Sequence, residues 1–195
     1  MEISTQRIIL KSPTWDEVVN YVRYLWSDED TMRDVGGIHP MDEEQAVRWF
    51  SAWIEPGQPD RRYFLVMRQP DNLPVGEACF HSYDRITGVA RYSMNIEAKH
   101  RGHGYGTAAM KLLLRYFFNE FGGREMIDDI APDNKRAQEL FVRFGFEHDL
   151  SLAQTYDSAG GDDVYWVRID KARFQQLYAA VEHEHVDIRE TSIFE

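Results

Sequence analysis

The chain has 195 residues, 43% hydrophobic and 28% charged, enough for one domain with a full core. No stretch approaches the ~20 apolar residues of a membrane helix, the start Met1-Glu2-Ile3-Ser4 has no basic or apolar signal segment, and a net charge of -11 speaks against nonspecific nucleic-acid binding, which needs basic patches. A single cysteine, Cys79, forms no internal disulfide, so a reduced, cytoplasmic setting is expected.

Ile3 to Leu10 reads as a first strand. Thr14 and Glu17 make a capping box, and the helix after it puts Trp15, Val18, Val19 and Val22 on one face. Ser27 to Pro40 reads as a loop. A second helix starts near Asp42, with Ala46, Trp49, Phe50 and Trp53 inward. Three strands follow: Tyr63 to Met67, Val75 to Tyr83 and Val89 to Ile96. A helix from about Thr107 to Phe118 carries Met110, Leu113, Leu114 and Phe117 at helical spacing, and Gly122-Gly123 stops it. Glu125 to Ala131 reads as a strand. Asn134 opens a short helix that Gly145 ends. Phe146 to Tyr156 and Asp162 to Ile169 read as a hairpin, and Lys171 to Ala180 as a closing helix. The expectation is an α+β fold with one domain over 1–180 and a charged tail over 181–195. His183 and His185 in that tail lack companion ligands and read as solvated, so no metal is expected.

Between the third of those strands and the amphipathic helix lies Arg101-Gly102-His103-Gly104-Tyr105-Gly106. Glycine lets the backbone turn sharply and brings main-chain N–H groups close to a ligand. A turn of such groups opening into a helix N-terminus suits an anion, so a phosphate-bearing ligand is expected. The spacing is not that of a dinucleotide fingerprint, and no Gly-Lys-Ser/Thr triplet exists for a P-loop. A phosphate-binding nucleotide fold is the weaker reading.

Two motifs resemble the GNAT superfamily of acyl-CoA-dependent N-acetyltransferases. Arg101, Gly104 and Gly106 fit Arg/Gln-x-x-Gly-x-Gly/Ala. Asn134, Ala137, Leu140, Gly145 and Phe146 fit Asn-x-x-Ala-x-x-Leu-(Tyr)-x-x-x-Gly-Phe. Thr5-Gln6-Arg7-Ile8-Ile9-Leu10 and Thr31-Met32-Arg33 resemble the RimJ/RimL-like branch. The resemblance spans roughly residues 3 to 170. It implies a mixed, mostly antiparallel sheet of about seven strands flanked by helices, splayed at the strand before the glycine loop. It implies acetyl-CoA as cofactor, with the pyrophosphate on the N–H groups of Arg101, Gly102, His103, Gly104, Tyr105, Gly106 and Thr107. The pantetheine arm would lie along the backbone of Met94, Asn95 and Ile96. Asn134 is implied as a contact to that arm, and reads equally as a plain helix N-cap.

The implied reaction moves an acetyl group directly to an amine: a protein N-terminus, a polyamine or a small amino compound such as an aminoglycoside. An amine with pKa ~10.4 costs ~4.6 kcal/mol to neutralise at pH 7, and an α-amine with pKa ~7.7–8.0 only ~1 kcal/mol. The chain departs from the family where acid–base groups are wanted. Phe141 stands where many relatives have tyrosine as general acid, Ala137 where the branch often has serine, and Arg91 where many have glutamate. The local proton-relay candidates are Glu77 and His81, which alternate onto one strand face with Cys79 and Tyr83, and Asp129, preferred to Asp128. Trp26, Asp34 and His39 are implied as acceptor contacts. A homodimer is compatible with the resemblance. A module that binds acyl-CoA without catalysis is the alternative from another class.

Overall fold

The computed structural model describes residues 1–55, 57–156, 164–178 and 187–189. Among these described residues nine strands form one mixed sheet in the order β7-β8-β6-β5-β4-β3-β2-β1-β9. They are β1 (Glu2–Ser4), β2 (Ile8–Lys11), β3 (Arg62–Arg68), β4 (Leu73–His81), β5 (Val89–Ile96), β6 (Glu125–Ile130), β7 (Glu147–His148), β8 (Tyr165–Asp170) and β9 (Asp187–Arg189). Among the described residues only β5 and β6 pair in parallel; the other neighbours are antiparallel. That one parallel pair requires a crossover, which the long helix after the glycine loop supplies.

Strand alternation divides the core. Phe64 and Val66 of β3 join a large apolar cluster on one face, with Tyr92, Met126 and Ile169. Helices α4 (Tyr105–Arg115), α5 (Lys135–Phe144) and α6 (Lys171–Tyr178) fill it with Met110, Leu113, Phe141, Phe144 and Phe174. Tyr63, Leu65 and Met67 point to the other face with Cys79. There they meet the N-terminal helix α1 and helix α3 (Glu43–Trp53), which contribute Val18, Val22, Trp26, Trp49, Phe50 and Trp53. Helix α1 covers 15–27 and contains a π-helical stretch, Val18–Val22. Its start is the expected capping box, the Thr14 and Glu17 side chains each accepting from the other's backbone N–H.

Three expectations are corrected. Ile3 to Leu10 is not one strand but a hairpin, because Thr5 N–H donates to Ile8 O at 2.9 Å and folds β2 back on β1. The loop over 27–40 contains a turn of helix, α2 (Glu29–Met32), capped by Asp28. The strand after Phe146 stops at His148, because Asp149 caps a 3-10 turn, Leu150–Gln154, instead. Residues 157–163, where the hairpin turn was expected, lie outside the described residues, as do His183 and His185. In the expected tail, Asp187–Arg189 pairs with β1 as strand β9.

Candidate active site

β5 and β6 pair at Val89↔Glu125, Ala90↔Met126 and Arg91↔Ile127 and at no later position. Yet β5 runs on to Ile96 and β6 to Ile130, so a gap opens between them from Tyr92 and Asp128 onward. Glu97 N–H donates to Val75 O at 3.0 Å, in register with Glu77↔Asn95 and Cys79↔Ser93. In an antiparallel ladder backbone groups alternate in direction. The odd residues of β5 therefore bond β4, and Met94 turns its N–H and C=O to the gap. This is the splay the sequence implied at Met94, Asn95 and Ile96.

The glycine loop stands at the open end of that gap. Gly102 and Gly104 sit at φ +82° and +81°, where a side chain is strained. Gly104 is the N-cap of α4 and contributes no side-chain cap. Ala108 N–H closes the first turn on Gly104 O at 3.1 Å, so helix geometry leaves the N–H groups of Tyr105, Gly106 and Thr107 without intrahelical partners. A Cβ on Gly106 would come within 3.2 Å of Met94 Cε and 3.4 Å of Ile96 Cγ1, which is why a glycine lets α4 start against β5. The loop therefore offers backbone donors and a positive helix end. The Arg101 side chain does not reach outward: Nε donates to Ile96 O at 3.0 Å and Nη2 to Thr31 O at 2.7 Å. It ties the loop to the 28–34 segment. Arg7 Nη2 donates to His103 O at 2.8 Å and clamps the loop from the turn between β1 and β2. His103 and Tyr105 stack their rings with centroids 5.9 Å apart. An extended chain with amide groups and a pyrophosphate fits this combination of gap and N–H row.

On the α1/α3 face of the sheet, Glu77, Trp26 and Asn95 come together. Glu77 is 5% exposed. Its carboxylate accepts from Trp26 Nε1 at 3.0 and 2.9 Å, from Asn95 Nδ2 at 2.7 Å and from the Tyr63 hydroxyl. Burial raises its pKa despite the opposing bonds of Tyr63, Asn95 and Trp26. Both oxygens are occupied by donors, so the geometry makes Glu77 the anchor of Asn95 and Trp26 rather than a relay open to solvent. Trp26 accordingly turns its indole N–H to Glu77. Tyr83, expected on the same strand face, lies past Ser82, whose φ is +53°, and packs across the sheet on Phe117 and Phe121.

His81 pairs with Arg91 in register, and Arg91 Nη1 donates to Asp129 Oδ1 at 2.9 Å. Arg91 also lies over the Trp166 ring at 5.2 Å. Asp129, held in this ion pair, is a positioning group rather than an open base. His81 is partly exposed, with Nδ1 at 3.0 Å from Ser82 Oγ. Burial first, then the charges of Arg91 and Arg61, hold its pKa below the usual imidazole range, so the ring is neutral at pH 7 and able to accept a proton.

Asp128 falls on the opposite face. It lies across from Val167 of β8, as Asp129 lies across from Trp166. Its Oδ1 accepts from Asp129 N–H at 3.0 Å. Burial, and then the charge of Asp129, push its carboxyl well above the ordinary carboxylate range. An acid whose pKa is raised on folding contributes most to stability below its unfolded value, and the contribution is lost as pH rises through the folded value. Asp128→Asn fixes the neutral state, so the variant is expected to lose less melting temperature than the wild type as pH rises above the unfolded carboxylate value of about 4. Parallel slopes in thermal melts across that range would contradict this assignment.

The remaining expected residues lie at the rim. Asn134 is the N-cap of α5, accepting from Ala137 N–H at 3.0 Å, and its amide donates to Asp34 O at 3.0 Å. Asp34 is exposed and 3.6 Å from Arg101 Nη1. His39 is exposed, its N–H donating to Trp26 O at 2.8 Å. Four residues were missed by sequence reading: Arg7, Tyr63, Thr31, whose hydroxyl accepts from Ala98 N–H at 2.8 Å, and Glu97. Glu97 is 1% exposed and accepts from Tyr24 OH and Lys99 Nζ, each at 2.6 Å. Arg7 reaches across 96 positions, a distance over which no periodicity signals. Among the described residues no group of three or more His, Cys, Asp or Glu could hold a metal ion, and no helix is long and apolar enough to cross a membrane.

Residues 7–147 match the acetyltransferase (GNAT) domain family. An uncharacterized N-acetyltransferase of Bacillus licheniformis, p20, is 22% identical over 175 residues, covering 87% of this chain and 96% of that protein. The fold is similar to that of a GNAT-family acetyltransferase from Bacillus anthracis (TM-score 0.69, 18% identity, 88% of this chain and 99% of that one). It is also similar to a spermidine N-acetyltransferase from Vibrio cholerae solved with CoA and spermine (TM-score 0.72, 17% identity, 86% and 98%). Splay, glycine loop and family match agree: the chain belongs to the GNAT family of acyl-CoA-dependent N-acetyltransferases.

Proposed function

We propose that this protein is an acetyl-CoA-dependent N-acetyltransferase of the RimJ/RimL-like type, acting in the cytoplasm on the amine of a protein N-terminus or a small amino compound. The observation that carries the reading is the gap between β5 and β6, with the N–H row of α4 at one end and His81 on the α1/α3 face, against Trp53. The donor, when bound, supplies an activated acetyl group. The N–H groups of Gly102 to Thr107 would hold its pyrophosphate, and the Met94 backbone would pair with its arm and polarise the reacting carbonyl. His81 takes the amine proton, directly or through one water. Asp60 and Asp129, the carboxylates that act on His81, are already neutralised by Arg61 and Arg91. A polycation gains little there, which favours an α-amine of low pKa. The second reading, a polyamine acceptor, is favoured by the net charge of -11 and the likeness to the Vibrio spermidine enzyme.

The test is thiol release from acetyl-CoA against Ser- and Ala-starting peptides, spermidine and aminoglycosides, with coenzyme A binding followed by thermal shift. A ligand at 100 times its Kd stabilises by about 2.7 kcal/mol. Turnover on peptides is expected. His81→Ala is expected to lower kcat by about 10²- to 10⁴-fold while keeping the coenzyme A shift. A shift with no turnover on any amine would instead support a non-catalytic acyl-CoA-binding module, and no shift would end the reading of the loop.

A further inference from the structure

Breaking a thioester leaves a thiolate, which needs a proton, and that duty has no owner in the site so far. Among the described residues, the side chains at the apex of the gap sort by face. Ser93 and Asp129 follow the α1/α3 face, with His81. Tyr92 and Asp128 follow the α4/α5 face, and each is the first residue of its strand beyond the last β5–β6 pair. Phe141 of α5 packs edge-on against Tyr92, ring centroids 5.5 Å apart, and has no proton to give. The Tyr92 hydroxyl is spent on Met94 Sδ at 3.2 Å, and burial makes this phenol a weaker acid still. Cys79 lies on the other face and is buried, where burial weakens its acidity. Asp128 is different. It keeps partial exposure at the apex of the gap, opposite the apolar Val167, and accepts a single backbone N–H from its neighbour.

We infer that Asp128 is the proton donor to the leaving thiolate, an assignment that rests on the acetyl-CoA reading proposed above. The amine nitrogen bonds to the acetyl carbon, the carbon–sulfur bond breaks, and its electron pair stays on sulfur. The Asp128 carboxyl proton passes to that sulfur. The proton lost by the amine goes to His81, and solvent resets both groups. The split sheet thus separates the two transfers: proton uptake on the α1/α3 face, proton delivery on the α4/α5 face. A thiol has pKa ~8.5. Burial raises the Asp128 carboxyl from the ordinary carboxylate range toward neutrality, where a general acid works best, and raises the Tyr92 phenol further away from it.

The test compares wild type and Asp128→Asn, which is isosteric with the protonated acid, on two donors: acetyl-CoA, and S-acetyl-4-nitrothiophenol, whose thiol is acidic enough to leave without a proton. Asp128→Asn is expected to lose about 10²-fold or more with acetyl-CoA and little with the aryl thioester. A readout independent of turnover is the ultraviolet thiolate absorbance of bound coenzyme A. Removing the Asp128 charge is expected to move its titration to lower pH. Equal losses on both donors together with an unchanged titration would mean a merely structural role and overturn the inference. A selective loss in Tyr92→Phe instead of Asp128→Asn would overturn it in favour of the phenol. A wild type that shows no thermal shift with coenzyme A would overturn the acetyl-CoA reading and this one with it, an outcome told apart from the others before any variant is made.

Discussion

Glu77→Leu is expected to destabilise the protein by about 4 kcal/mol. The substitution removes the acceptor and leaves three donors behind: Trp26 Nε1, Asn95 Nδ2 and the Tyr63 hydroxyl. A buried donor left unsatisfied costs about 1–3 kcal/mol, and Tyr63, 4% exposed, has no route to water. The added apolar side chain offsets part of that. For a chain of this size a loss of 1 kcal/mol lowers the melting temperature by about 2–4 °C, so a drop of roughly 8–16 °C is expected. Glu77→Gln should fall in between, since its amide oxygen still accepts but its amide nitrogen faces donors. Adding Tyr63→Phe to Glu77→Leu should recover about 1 kcal/mol, because it removes one of the stranded groups. A Glu77→Leu protein that melts within 2 °C of the wild type would contradict the role of the network. If Glu77 only anchors, the folded fraction of Glu77→Gln keeps most of its turnover. A loss as deep as that of His81→Ala would return Glu77 to the proton relay.

Gly76→Ala is expected to be of similar size and to act on donor binding as well. A Cβ at this position would stand 2.3 Å from Asn95 O and 2.9 Å from Ile96 Cα. Both are backbone atoms of β5, so no side chain can swing aside. The neighbouring register explains the crowding: β3 pairs Val66↔Gly76 and then Met67↔Pro74, so Val75 is an extra residue in β4. Such a bulge bends the strand and increases its twist, here bringing β4 against the end of β5. The alanine must push β5 outward at Asn95 and Ile96. That breaks the Asn95–Glu77 bond and displaces the Met94 backbone that faces the gap. A loss of about 3 kcal/mol, in the range of overpacked cores, and a tenfold or greater weakening of coenzyme A binding are expected, read by thermal melts with and without coenzyme A. Gly102→Ala is the control. No atom lies within 4 Å of its added Cβ, so only the backbone cost of about 1–2 kcal/mol for a left-handed residue applies. Gly76→Ala melting no lower than Gly102→Ala would refute the close approach.

Much of the architecture was legible in the residues because it is local. Helix α4 and the π-helical stretch Tyr116–Phe121 that continues it announce themselves by Met110, Leu113, Leu114 and Phe117, and by the glycines at the two ends of the pair. The capping box at Thr14 and the α5 cap at Asn134 are four-residue patterns, and the glycine loop is six consecutive letters. The α+β class and the backbone-donor loop proposed to hold coenzyme A follow from these. Period-2 alternation also placed Glu77 and His81 on one strand face. What alternation could not say is what lies across that face. Glu77 and His81 are chemically alike as proton acceptors in the sequence. In the fold one is sealed by Trp26, Tyr63 and Asn95, and the other stands beside Arg91. The choice between Asp128 and Asp129 turned in the same way on neighbours. Adjacent strand residues take opposite faces whatever the sequence; only the pairing with β8 and the reach of Arg91 decide which carboxylate meets an arginine and which is desolvated. Strand register and the partners of buried polar groups are set by contacts between segments tens of residues apart. These obey no spacing in the chain, so they belong to the tertiary structure alone.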